Sequence, residues 1–176
     1  MKQTLVALVE DKPGVLNRVA SMFRRRNFNI ESLAVGHSET PGISRMTIVT
    51  DEYENIRRNV IRANLLKLIN VIEVQDVTDQ PCVIRETALI KLQADATIRG
   101  QVVDVAEMYR ARIVDVATET LIVEVTGEPG KIEALIEVLK PFGVLEIMRT
   151  GKIAMTRGVV KPRPDLAPAV KTNGKH

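Results

Sequence analysis

The order strand, helix, strand, strand, helix, strand occurs twice in succession along this chain, and few folds can satisfy it. Residues 4–9 are an apolar, β-favouring run that ends on acidic residues. Residues 14–26 carry helical spacing, with Val15, Leu16, Val19, Ala20 and Phe23 on one face. Residues 29–37 and 43–50 read as two strands joined by the turn Glu39-Thr40-Pro41-Gly42. A second helix over 52–68 places Ile56, Val60, Ala63 and Leu66 inward and Arg57, Arg58 and Arg62 largely outward, and 71–77 closes the unit as a strand. After a short linker, Asp79-Gln80-Pro81, the order repeats: strand 84–93, helix 97–109, strands 112–117 and 120–126, helix 130–142 and strand 144–149. In that last helix Ile132, Leu135, Ile136 and Leu139 form an amphipathic face, and Pro141 and Gly143 stop it.

The fold class expected is therefore α+β, two ferredoxin-like βαββαβ units in tandem. Their bounds are 1–79 and 82–157, followed by a tail over 158–176. The tail holds Pro162, Pro164 and Pro168 among charged and small residues without an apolar period, which predicts disorder. A chain of 176 residues has room for two small cores. Its lone cysteine, Cys82, excludes an internal disulfide and any multi-cysteine metal cluster. No apolar run approaches a membrane span and the N-terminus lacks a signal-peptide pattern, so a cytoplasmic location is expected. The net charge of +3 resides in the tail, where Lys161, Arg163, Lys171 and Lys175 stand against Asp165. The neutral remainder gives no net-charge footprint for nucleic acid.

Two stretches carry chemistry. In Glu10-Asp11-Lys12-Pro13-Gly14-Val15-Leu16, Pro13 suits a first helical position and Gly14 lets a ligand approach the backbone. Free amides of Gly14, Val15 and Leu16 at the positive end of a helix would hold a carboxylate, while Asp11 at the same mouth suits an ammonium. That pairing fits a free amino acid better than a phosphate, and no lysine-serine P-loop pattern follows. The same residues are also compatible with a plain helix start. The second stretch is Phe28-Asn29-Ile30-Glu31-Ser32-Leu33. Asn29 stands at a strand start, where asparagine is disfavoured, and its amide offers donors and an acceptor to a zwitterion. A turn residue following the helix is its plainer role.

These stretches, with Ser44-Arg45-Met46-Thr47-Ile48, closely resemble the regulatory (small) subunit of acetolactate synthase, also called acetohydroxyacid synthase. The resemblance runs from Met1 to about Gly158. It implies that the first unit is an ACT domain, a module that binds amino acids between two copies of itself. Asn29 of one chain would then face the Asp11–Leu16 loop of another in a homodimer, with Ile30 at the effector site and Leu33 and Val35 as candidate lining of an aliphatic pocket. It further implies a larger catalytic subunit that condenses pyruvate with pyruvate or 2-oxobutyrate using thiamine diphosphate, Mg and FAD. The chain would hold none of those cofactors and no catalytic residue of its own. It would raise the activity of that subunit and confer feedback inhibition by valine, or by leucine or isoleucine, in branched-chain amino acid biosynthesis. Arg45 is a candidate contact with the large subunit.

Other features read as ordinary structure. Arg24, Arg25 and Arg26 complement a helix C-terminus, with a partner or RNA contact as the sharper alternative. Five aromatic residues, none of them Trp, make a base-stacking platform a poor reading. His37 lies at a hairpin end with only Glu39 as a co-ligand, and Cys82 lies in the linker, so neither points to a metal site or a nucleophile. Glu128-Pro129-Gly130 echoes the first mouth but opens the second helix of its unit, and it reads as a helix start rather than a second ligand site. Competing classes are a free-standing amino-acid-sensing ACT protein, a ligand-responsive nucleic-acid regulator and a small enzyme on the same scaffold. No nucleophile–base pair or dinucleotide fingerprint supports the last.

Overall fold

Apolar residues at period two build the strands of each unit, and helical stripes cover them. The computed structural model describes residues 2–158. Its first half contains β1 (Gln3–Glu10), α1 (Val15–Arg25), β2 (Ile30–His37), β3 (Ile43–Thr50), α2 (Asn55–Leu65) and β4 (Val71–Asp76). Its second half contains β5 (Cys82–Gln93), α3 (Arg99–Met108), β6 (Arg112–Val116), β7 (Thr120–Gly127), α4 (Pro129–Leu139), a 3-10 turn (Lys140–Phe142), β8 (Val144–Arg149) and β9 (Ile153–Thr156). The sheet orders are β2-β3-β1-β4 and β6-β7-β5-β8. Both are the antiparallel arrangement that a βαββαβ chain makes when its first and third strands occupy the centre. By compactness, one unit comprises residues 2–31, 35–81 and 156–158, and the other Ser32–Ala34 with Cys82–Met155. The expected disordered tail lies, beyond Gly158, outside the described residues.

The two units repeat each other in detail. In each, the first strand slips register against the fourth near its end, at Leu8/Val9 and at Lys91/Leu92. In each, the first helix ends on a residue of positive φ, Asn27 (56°) and Arg110 (50°). A six-residue return bond closes each helix end, from the Phe28 amide to the Phe23 carbonyl (3.0 Å) and from the Ala111 amide to the Ala106 carbonyl (2.8 Å). The second core is built from Ala88, Ile90 and Leu92, from Leu121, Val123 and Val125, and from the predicted α4 face of Ile132, Leu135, Ile136 and Leu139.

Several elements differ from the sequence reading. The α2 face is rotated: Ile56, Val60, Ala63 and Leu66 are exposed, while Arg58, Ile61 and Leu65 are buried. This short helix carries two apolar stripes, and periodicity cannot choose between them. Arg58 tolerates burial because it is held by polar partners. Its Nε donates to the Glu52 carbonyl (3.3 Å), its Nη1 approaches Asp79 (3.4 Å), and its carbonyl accepts the Gln3 amide (3.2 Å). On α1, Leu16 and Ala20 are likewise exposed, and Met22 joins Val15, Val19 and Phe23 inside. Cys82 is the first residue of β5 rather than a linker residue. The unanticipated β9 pairs with β5.

Candidate functional site

The mouth at the end of β1 is set by one glycine. Gly14 has φ 82° and ψ −5°, the geometry of the third residue of a type II turn, and the Val15 amide donates back to the Lys12 carbonyl at 3.3 Å. Pro13-Gly14 is thus the centre of a tight turn. Pro13 does not take the first helical position, and α1 starts at Val15. This corrects the role of Val15: its amide is engaged and its side chain is buried in the core. Gly14 and Leu16 keep amides with no acceptor among the described residues. Leu16 is 46% exposed, so it presents an apolar surface beside them.

Around this turn the polar groups are held in place. The Asp11 amide donates to the Gly42 carbonyl (2.8 Å), which ties the mouth to the β2–β3 hairpin. The Asp11 carboxylate lies 3.4 Å from Nδ1 of His37. Sequence spacing gave no sign of this pair, because it forms across the sheet between the ends of β1 and β2. Beside it, Asn70 donates to the Glu10 carboxylate (2.6 Å) and Lys12 pairs with the same oxygen (3.0 Å). The Asn70 hydrogen bond, and then that from Lys12, hold the Glu10 carboxyl below its usual range. Arg18 of α1 donates to Asn70 at 2.6 Å. Asp11 therefore stands beside a hydrogen-bonded polar cluster while remaining open to solvent.

Asn29 is elsewhere. It is exposed, immediately before β2, on a segment where Arg57 stacks over the Phe28 ring at 5.4 Å from its centroid. Lys2 and Glu31 pair at 2.5 Å, which puts the start of β2 beside the start of β1. The Asp11–His37 pair is at the other end of both strands. Eight residues of β2 span roughly 25 Å. The structure thus brings Asp11, Gly14 and Leu16 together and leaves Asn29 and Ile30 at the opposite end of the same sheet. Ile30 and Leu33 are half-buried, and Val35 is 47% exposed on this edge strand. Arg45, the candidate partner contact, is half-buried and pairs in register with Leu8 of β1. Glu128-Pro129-Gly130 does form a helix start, with Pro129 at the first helical position, unlike Pro13. Among the described residues, no three His, Cys, Asp or Glu side chains converge as metal ligands would, and no helix is long and apolar enough to cross a membrane.

Tandem ferredoxin-like units, the first with a turn-and-helix mouth and with β2 at the edge of its sheet, define a two-unit protein of the ACT class. Residues 5–73 match the family described as the AHAS small subunit-like ACT domain, and residues 85–158 match the small subunit of acetolactate synthase. The chain is 52% identical over 155 residues to the acetolactate synthase small subunit of Mycolicibacterium smegmatis, covering 88% of this chain and 91% of that protein. It is 46% identical over 159 residues to the acetolactate synthase small subunit of Bacillus subtilis, covering 90% and 92%. The crystal structure of the acetolactate synthase small subunit from Thermotoga maritima superposes with a TM-score of 0.83 at 39% identity, covering 91% of this chain and 99% of that one. Both units fall within these matches, so the chain belongs to the acetolactate synthase small-subunit family.

Proposed function

We propose that this chain is the effector-binding regulatory subunit of acetolactate synthase. It binds the large catalytic subunit, raises its activity, and transmits feedback inhibition by valine or another branched-chain amino acid. Thiamine diphosphate, Mg and FAD belong to the large subunit in this reading, and the chain has no catalysis of its own. The observation that carries the proposal is the separation of the two half-sites. Asp11, Gly14 and Leu16 offer an anion, backbone amides and an apolar surface at one end of β2, and Asn29 offers an amide at the other. Two copies joined antiparallel along their β2 edges bring the Asn29 of each to the mouth of the other, and a two-fold axis generates both sites at once. An aliphatic zwitterion suits the pair: ammonium to Asp11 and the Asn29 carbonyl, carboxylate to the amides, side chain to Leu16 and its neighbours.

The coupling is thermodynamic. Valine alters activity by binding one arrangement of the complex better than another, and a difference of about 1–3 kcal/mol gives roughly 5–150-fold effects. The test is acetolactate formation by the purified large subunit, with and without this chain, titrated with valine. Asn29→Ala removes hydrogen bonds to a charged ligand, which are worth about 1.5–3 kcal/mol. Its inhibition curve is expected to move roughly ten- to a hundredfold to higher valine with activation retained. An unmoved curve shows that Asn29 is not a ligand contact.

A further inference from the structure

The charge of the first unit is segregated in a way that its net value hides. Residues 15–27 and 55–72, which contain both helices, include no Asp or Glu, yet they carry Arg18, Arg24, Arg25, Arg26, Arg57, Arg58, Arg62 and Lys67. Arg58 is the buried member, and Arg57 pairs with Glu52 at 2.8 Å. The others are exposed, and none has a carboxylate within ion-pair distance among the described residues. Arg18, Arg26 and Arg62 donate to neutral oxygens of Asn70, Asn64 and Val74, which orients them without cancelling their charge. Arg18, Arg25, Arg26 and Lys67 line a groove of about 380 Å³ between α1 and α2, with Met22 also on its wall. Alongside it runs the outward stripe of α2: Ile56, 79% exposed, then Val60 and Ala63 at helical spacing.

A helix that is apolar on two sides is ordinarily covered on both. Ile61 and Leu65 are covered by the unit itself, whereas Ile56, Val60 and Ala63 are not. Together the stripe and the cations define what fits. A second copy of this face would bring one cationic surface, with no acidic residue in either helix, against another, a like-charge meeting that disfavours self-association. A phosphate backbone would satisfy the cations but leave the apolar stripe uncovered. A protein surface with an apolar centre and an acidic border satisfies both.

We propose that the helical layer of the first unit, α1 with α2, is the face that docks the large catalytic subunit through an apolar, acid-bordered surface of that partner. This rests on the regulatory-subunit reading and adds its binding face, which is distinct from the β2 edge assigned to the effector. The test measures affinity of the full chain for the purified large subunit by titration, using Ile56→Asp with Val60→Asp in one variant and Arg24→Glu with Arg25→Glu in another. All four residues are exposed, so melting temperature and chain mass in solution should match the wild type, and both are measured. Each variant is expected to bind at least about tenfold more weakly, and wild-type affinity to fall as salt screens the cations. Unchanged affinity in both variants, with wild-type binding intact, overturns this docking face and leaves the regulatory reading standing. Failure of the wild-type chain to bind the large subunit at all overturns the regulatory reading itself. If the arginine reversals abolish binding to a short duplex DNA or to anionic phospholipid vesicles but leave the large-subunit affinity unchanged, the layer serves that other polyanion and the proposal is wrong.

Discussion

Gly14 is where conformation and the proposed effector site meet most closely. With φ at 82°, any side chain there is strained, yet a Cβ would find no heavy atom within 4 Å. Gly14→Ala is therefore expected to lower stability by about 1–2 kcal/mol in urea unfolding, from backbone strain alone. In the proposed site, that change leaves the space for an effector's carboxylate largely open. Gly14→Asp is different, since aspartate visits the left-handed region more readily than alanine does. Its loss of stability should be smaller than that of Gly14→Ala, and its resistance to valine larger, because it sets a carboxylate against that of the ligand. The reverse order for the two variants would show that the turn, rather than anion recognition, governs the mouth. This dihedral also marks a limit of sequence reading at the residue scale. Pro-Gly before a helix is compatible with a first helical turn and with a type II turn; only the positive φ decides, and it moved Val15 from ligand contact to core. The Asp11–His37 pair was hidden for a related reason, since the C-terminal ends of β1 and β2 are brought to the same side of the sheet by topology rather than spacing.

At the scale of elements, the second unit is tied together by charge as well as by its core. Arg149 of β8 forms a two-pronged pair with Glu86 of β5 (2.7 and 2.8 Å) and reaches Glu133 of α4 at 2.6 Å. The Glu86 hydrogen bonds are the main cause of the raised Arg149 pKa. The Glu86 side chain is only 4% exposed, against 30% for Arg149. Arg149→Ala would leave that carboxylate buried without its partner, a change expected to cost about 3 kcal/mol, near the low end for a broken buried pair because Arg149 is partly solvated. Chemical denaturation measures it, and a loss below the size of an ordinary surface substitution would show that water replaces the arginine. Two carboxylates, half-buried Glu10 and exposed Asp95, are expected to contribute to acid sensitivity. Asp95 is held low first by the Thr97 hydroxyl, then by the Thr97 and Ile98 amides; Glu10 is held low first by Asn70 and then by Lys12. A depressed folded pKa gives stability that is complete above the ordinary carboxylate range and lost as pH falls through the lower folded value. Glu10→Gln with Asp95→Asn should therefore flatten the acid limb of a melting-temperature profile, and an unaltered limb would assign acid unfolding to other groups. The order of elements, the β2–β3 hairpin and the α4 face were legible because each had a single consistent period. The α2 face was not, as two apolar stripes competed and a tethered Arg58 occupied the inward one; β9 is only four residues long and is recruited by pairing with β5.

At the scale of the whole molecule, the central consequence of the proposed function is that one copy has two half-sites and no complete one. Asn29 precedes β2 and Asp11 lies beside His37 at the other end of that strand, so an antiparallel meeting of two β2 edges has its axis near the strand centre, at about Leu33. Leu33 then lies close to its own equivalent across the axis, and Leu33→Asp places two carboxylates face to face there. Like charges opposed across strands disfavour pairing. In light scattering the wild-type chain is expected at twice the chain mass at micromolar concentration, and Leu33→Asp at the mass of a single chain. Because Leu33 is half-buried, a melting curve accompanies the measurement to show that the units remain folded. The decisive readout is joint: the variant that becomes monomeric should also lose its response to valine, since neither half-site binds a zwitterion well alone. The proposed docking to the large subunit through α1 and α2 would not require the β2 edge, so some affinity for that partner should survive. A monomeric Leu33→Asp that is still inhibited by valine at wild-type concentrations would place the effector within one chain, and the shared site would have to be abandoned.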